Sequence, residues 1–348
     1  MIRTLIAIFV AILILSLPSA GIGQDRIVLR SESGASEIPL TGSILEYTGE
    51  ELTIRTGPDA VRVYEAERIL GVETPQTEPH RAAIKAFQER RFQDAFDLTI
   101  KAVEEEQRQW VRREILALRV KVALALGDRI AALDAFLSIV TSDPTSRHFS
   151  LIPLPWRLEP PPKDLVAAAR IWMRGGSEVS RLCGASVLIL SEDESERARA
   201  ELDQLAISFD ERVYHLARAQ LWRGRMAREG NSASRGVLAN WQDRVRNMPE
   251  TLRGGTFYLI GKSYGELLDH EQAAAALLWL PLVYDSDQRL AAEAEWRAAV
   301  HLRAIGRSAD AVTLCSEVMG RFAHTPAAKQ AEALLDEIRD EVSSGGAN

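Results

Sequence analysis

The chain has 348 residues, of which 46% are hydrophobic and 26% charged, a globular composition with length enough for a large core or two domains. A net charge of -7, with Lys and Arg scattered among acidic residues as in "ERARAELD", excludes a broad nucleic-acid surface, because phosphate binding needs clustered cations. The two cysteines, Cys183 and Cys315, lie far apart and outside any C-x-x-C pair, which excludes a disulfide framework or a structural zinc site. One long-range bridge stays open, and two separate buried thiols are the preferred reading.

In chain order, "MIRTLIAIFVAILILSLPSAGIGQD" comes first. A positive start at Arg3, an apolar run from residue 4 to 17, a break at Pro18 and small residues after it are the signature of a secretory signal peptide. The run is shorter than the roughly 18–20 residues needed to span a bilayer. Residues 1–23 are therefore expected to be removed after Gly23, with Ala20 as the alternative. The protein is expected to be exported, to the periplasm or cell envelope of a bacterium. It would touch a membrane only through this segment, if the segment stays uncleaved.

Residues 24–74 read as a small β module. "RIVLRS", "GSILEYT", "ELTIRT", "AVRVY" and "RILGVET" are short β-branched runs separated by turn residues at 33–34, 48–49 and 57–59. Within residues 41–56 Leu52 and Ile54 alternate with Thr53 and Arg55, so one face can be buried. Five short strands predict a meander or a curled SH3-like barrel. Residues 75–80, polar and Pro-containing, are expected to be a linker.

Beyond residue 80 the chain reads as helix, and a shape recurs. A helix is followed by a tight turn and a second helix that begins near an alanine. The alanines are Ala95, Ala132, Ala198, Ala239 (in a degenerate copy), Ala273 and Ala311, spaced by 37, 66, 41, 34 and 38 residues. A helix-pair period in this range marks an α-solenoid. The gap of 66 holds "PLPWRLEPPP", which cannot be helix because proline lacks the amide donor and restrains the residue before it. The elements expected are helical repeats over residues 81–150, a Pro-rich insertion over 151–163 forming an extended strap, repeats again over 164–342, and a disordered tail at 343–348.

The segment with Gly127 at the turn, Ala132 and Phe136 on the second helix and Pro144 at the end resembles a tetratricopeptide repeat. Gly261, Tyr264 and Ala273 make a second partial match, and the closing "RFAHTPAAKQAEALLDEI" a third. The resemblance implies a mainly α fold, an α-solenoid of tetratricopeptide-like hairpins, with Ala95, Ala198 and Ala311 at further hairpin contacts. It also implies protein or peptide partners and no cofactor.

Chemical motifs are sparse. Gly261-Lys262-Ser263 ends like a phosphate-binding loop, but Thr256 stands where that motif needs its first glycine. The six histidines make no metal-ligand spacing, and no nucleophile is paired with a base. Of seven tryptophans, Trp172 and Trp279 read as core. Trp110 and Trp156, beside charged or Pro-rich sequence, read as exposed and as candidate partner contacts. The expected function is that of a non-enzymatic interaction scaffold or assembly factor with no metal or cofactor. The alternative is a cell-wall or polysaccharide-binding or processing protein using a cleft in the helical array.

Overall fold

Strands β1 (Asp25–Arg30), β2 (Glu37–Tyr47), β3 (Glu51–Arg55), β4 (Val61–Glu65) and β5 (Ile69–Glu73) form one antiparallel sheet in the order β4-β3-β2-β1-β5. The protein is described here by a computed structural model covering residues 24–31, 36–229 and 235–345. The expected export segment, residues 1–23, lies outside the described residues. Among them no helix is long and apolar enough to cross a membrane.

Period-two alternation builds the β core: Ile27, Leu29, Ile44, Leu52 and Ile54 are all buried. β2 changes partner midway, pairing β1 through Gly42 and β3 from Ser43 onward. Gly42 makes the change possible, because a Cβ there would stand 2.4 Å from the Arg55 carbonyl. β2 also starts well before the expected "GSILEYT". Its first half includes Pro39, paired with Val28 across a single neighbouring strand, the kind of edge position where a sheet tolerates proline. A single 3-10 turn, Ala66–Arg68, separates β4 from β5.

A β unit ends at Gln76 and a helical unit starts at Thr77. The expected linker at 75–80 is shorter than predicted, since α1 (Glu78–Gln88) begins inside it. Pro79 sits in the first turn, where its missing N–H costs nothing. The helical unit continues with α2 (Phe92–Glu105), α3 (Gln109–Leu126), α4 (Arg129–Ser142), α5 (Lys163–Met173), α6 (Glu178–Leu188), α7 (Ser195–Leu205), α8 (Glu211–Glu229), α9 (Arg235–Arg246), α10 (Gly254–Glu266), α11 (His270–Leu277), α12 (Trp279–Val283), α13 (Gln288–Ala304), α14 (Ser308–Arg321) and α15 (Pro326–Gly345). Most helices pack on the next one in the chain, and α3 also touches α13.

Four hairpin turns share one geometry. Arg90, Gly127, Leu268 and Gly306 all have left-handed backbone, with φ of 59°, 84°, 58° and 79°. Each lies five residues before a fully buried alanine: Ala95, Ala132, Ala273 and Ala311. In two of the four, the residue after the left-handed one is an aspartate, Asp128 or Asp269, whose side chain accepts a helix N-terminal amide. Ala198 and Phe136 are also fully buried, while Pro144 is an exposed turn residue after α4 and Tyr264 is half-buried. Gly261 approaches α11 closely, since a Cβ there would stand 2.5 Å from Leu277 Cγ and 3.2 Å from the Ala273 carbonyl.

Three expectations need correction. Ala239 is exposed, and Leu238 is the buried contact of α9, so that copy was read one residue out of register. The gap of 66 residues holds a further hairpin, α5–α6, as well as the insertion. Its contact residue is Gly184, where a Cβ would stand 2.3 Å from the Met173 amide and 2.6 Å from the Ala169 carbonyl. The tail is helical through Gly345, with Ser343 Oγ donating to the Arg339 carbonyl at 2.8 Å; residues 346–348 lie outside the described residues.

These contacts set an order of sensitivity. Gly184→Ala drives a methyl into backbone atoms that cannot rotate away and is expected to cost about 2 kcal/mol or more, beyond the helix-propensity gain of alanine. Gly261→Ala meets mainly a leucine side chain and is expected to cost about 1 kcal/mol or less. Urea unfolding of the two variants checks the order, and an equal or reversed pair contradicts it.

Two titratable contacts inside the stack predict a pH profile. His270 and His301 face each other with Nδ1 atoms 3.0 Å apart, and burial, then the neighbouring His270 and Arg297, lower His301 to about 4. Glu295 is buried, and burial, then Glu317, raise its carboxyl to about 8, with Arg321 opposing. An unfolded chain takes up the histidine proton first, so this contribution is lost as pH falls from about 6.5 toward 4. An unfolded chain releases the glutamate proton first, so stability is also lost as pH rises from about 4.5 toward 8. His301→Gln is expected to flatten the acid limb and Glu295→Gln the alkaline limb, each by roughly 1 kcal/mol after solvent screening. Thermal melts from pH 4 to 8 read both limbs directly.

Candidate functional site

Residues 152–162 run without regular structure between a 3-10 turn, Phe149–Leu151, and α5. A segment with prolines at 153, 155, 160, 161 and 162 is short of amide donors, while its carbonyls still need partners once water is removed. Side chains from the helices supply them. Arg129 Nη1 donates to the Pro153 and Leu154 carbonyls at 2.8 and 3.1 Å, and Gln220 Nε2 donates to that of Pro155 at 3.1 Å. Arg223 Nη1 donates to that of Arg157 at 2.8 Å.

Arg223 is 1% exposed and also donates to Gln220 Oε1 and to the Ser186 carbonyl. Burial, then the nearby Arg129 charge, lower its guanidinium to about 9, with Glu159 opposing. It is held by carbonyl and amide dipoles, and among the described residues no carboxylate lies within ion-pair distance of it. The strap's Trp156 sits over the start of α10, where a Cβ on Gly255 would fall 1.8 Å from the indole.

Strap, α13 and the start of α15 enclose a cavity of about 490 Å³. Its walls include Arg129, Arg157, Arg223, Arg289 and Arg297 against only Glu159, Asp287 and Glu293. Asp287 caps α13 and pairs with Arg129 at 3.0 Å. Glu293 accepts from Tyr258 Oη at 2.6 Å, from Arg297 Nε at 2.9 Å and from Arg157 Nε. Burial works to raise the Glu293 carboxyl, and Arg157, Tyr258 and Arg297 together more than offset it, so the group stays below the usual carboxylate range. It is a counter-ion, with no proton to give near neutral pH. The same burial and the Glu293 charge push the Tyr258 hydroxyl upward.

The cavity lies where the two ends of the helical unit meet. Arg289 Nη1 donates to the Leu126 carbonyl at 3.0 Å, and Arg90 Nη1 donates to that of Gly320 at 2.7 Å. The rings of Phe92 and His324 are 4.6 Å apart.

A second feature is the outer face of α12. Trp279, Leu282 and Val283, at i, i+3 and i+4, are 47%, 75% and 55% exposed, while Leu280 and Pro281 face inward. Trp279 stacks on Phe257 at 5.3 Å with 13° between the rings.

The tryptophan expectations are therefore corrected in part. Trp110 is 2% exposed and Trp156 is 8% exposed, so neither stands free on the surface. Adjacent charge and proline misled, because Arg108 lies over the Trp110 ring and Trp156 is covered by the start of α10. Trp172 is buried as expected, with its indole N–H donating to Asp134 at 3.0 Å. Trp279 was expected in the core and is exposed. Cys183 and Cys315 are both free and buried.

The arginine cluster was not found from sequence. One signal was present for one member: Arg223 follows Leu216, Ala219 and Gln220 on the buried stripe of α8 at helical spacing. Compared with known proteins, the chain matches no protein-family model and no curated protein.

Arg223→Met keeps the volume and removes the donors. The carbonyls of Arg157 and Ser186 then lose their partners in a dry site, an expected loss of about 2–4 kcal/mol. Strap amides should exchange faster and the strap should become the first site of limited proteolysis. Unchanged exchange at residues 152–162 would show that these bonds do not hold the strap.

Proposed function

We propose that the helical unit is an α-solenoid of tetratricopeptide-like hairpins, and that the protein serves as an exported, non-enzymatic interaction scaffold or assembly factor in the bacterial envelope. The repeat reading is supported by the left-handed residue five positions before a buried alanine in four hairpins. The β unit suits an SH3-like module, given its strand order and the single helical turn before the last strand. Export rests on the sequence of residues 1–23.

The observation that carries the binding role is the apolar face of α12. A contiguous Trp-Leu-Val surface on a short helix, with its indole already oriented by stacking on Phe257, is the kind of aromatic anchor that concentrates binding energy at protein interfaces. The occupant would be the apolar surface of another protein. Glycan processing has less support. Two of the three acidic side chains in the cavity wall are tied to arginines, which leaves no carboxyl pair to share acid and base roles.

Crosslinking of the exported protein in envelope extracts tests the reading. Wild type should yield defined protein adducts. A Trp279→Ala, Leu282→Ser double variant should lose about tenfold or more of them, while a charge-neutral change on the exposed face of α7 should not. Retention of purified cell-wall glycan with no protein adduct would favour the alternative.

A further inference from the structure

The arginines of the cavity wall outnumber the carboxylates that line it. Five guanidinium groups face three carboxylates. Glu159 is exposed, Asp287 is committed to Arg129, and Glu293 is shared between Arg157 and Arg297. Arg223 spends its donors on carbonyls and Gln220. That leaves Arg289 without a carboxylate within ion-pair distance among the described residues. Among the described residues its one side-chain hydrogen bond runs from Nη1 to the Leu126 carbonyl and leaves Nε and Nη2 unspent. Arg157 likewise has Nη1 unspent, and its Nη2 reaches the Arg289 carbonyl only at 3.4 Å. Burial, then the neighbouring charge of Arg157, lower the Arg289 guanidinium; Asp287 opposes the shift and Arg129 adds to it. Like charges crowded into a half-buried wall are stabilised by an anion between them.

Much of the rest of the wall is apolar, with Leu124, Leu165, Val187, Leu290, Trp296 and the prolines of the strap, and Gln330 adds a polar side chain. A volume of about 490 Å³ falls in the range of small-molecule sites and is too confined for a folded partner. Apolar walls with a few convergent polar donors at one end suit a ligand built the same way.

We propose that this cavity binds a small amphipathic organic anion, with its carboxylate or phosphate held between Arg289 and Arg157 and its apolar body against Leu124, Leu165 and Trp296. Both head groups match a planar guanidinium fork. A ligand seated there would touch Leu124 of α3, the strap, α13 and α15 at once, and so would stabilise the contact of α3 with α13.

Isothermal titration of the full-length protein with octanoate, octyl phosphate, octanol and octylammonium tests this. At least one of the two anions should bind about tenfold or more tighter than octanol, and octylammonium should not bind. The anion that binds tighter identifies the head group. Arg289→Gln should weaken the anion about tenfold while leaving octanol unchanged, and Leu165→Trp should abolish both by filling the apolar end. Arg289→Lys, which keeps a charge and a donor for the Leu126 carbonyl, is measured in parallel in case the glutamine variant does not fold, and should lie between wild type and glutamine. Thermal melts without ligand establish that each variant is folded. Equal affinity for octanol and both anions, no binding of either anion at millimolar concentration, or anion binding unmoved by the folded Arg289 variants would overturn the proposal.

Discussion

A proline-rich segment taken out of water cannot satisfy itself, and the helical unit is arranged around that constraint. The strap at residues 152–162 brings carbonyls into a dry interior, and Arg129, Gln220 and Arg223 are the groups that meet them. Arg223 is the costly member. A cation that is 1% exposed, with no carboxylate within ion-pair distance among the described residues, is tolerated because oriented dipoles replace its hydration. Once the strap is fixed, other features follow. Trp156 finds its seat over Gly255, α5 starts in a defined place, and the strap becomes one wall of the cavity. Residue types that look unrelated in the sequence, prolines at one end and an arginine and a glutamine some sixty residues later, are thus parts of one hydrogen-bonded unit.

The helical architecture was legible where local rules decide it. Small residues at helix contacts and tight turns gave the hairpins, because an alanine or glycine is the only way two helices can approach so closely. The reading failed where a different small residue or a non-glycine did the same job. Gly184 replaces the contact alanine in α6, so a search for alanines passed over the α5–α6 hairpin and left an interval of 66 residues. Arg90 and Leu268 take the left-handed backbone that Gly127 and Gly306 adopt freely, and neither advertises a turn in sequence. Ala239 illustrates the opposite error: an alanine in an apparently suitable place points outward, and Leu238 carries the contact.

The candidate sites were much less legible, for a reason that is general. Burial of a tryptophan depends on what arrives opposite it, and Trp156 is covered by a helix that begins about a hundred residues later. Trp279 sits in "ALLWLPLV", which reads as core by composition. Within that run Leu280 and Pro281 face inward, while Trp279, Leu282 and Val283 lie on the other face of α12. The arginines of the cavity come from α4, the strap, α8 and α13, and apart from Arg223 none carries a burial signal in the sequence. Only the fold reveals that they converge and that the carboxylates among them are too few.

The meeting of the two ends of the helical unit changes how its hairpins behave. In an open array each repeat contacts only its neighbours, so stability is close to a sum of local terms and the ends fray first. Here Arg289 reaches the end of α3, Arg129 reaches the start of α13, and Phe92 packs against His324. The terminal hairpins are therefore coupled to each other as well as to their neighbours. Opening the seam would remove the Arg129–Asp287 pair, which both caps α13 and holds the strap through Arg129. Strap, seam and cavity accordingly form one cooperative element, and none of the three can be loosened without disturbing the other two. That coupling is why a cavity lined by residues so distant in sequence can keep a defined shape.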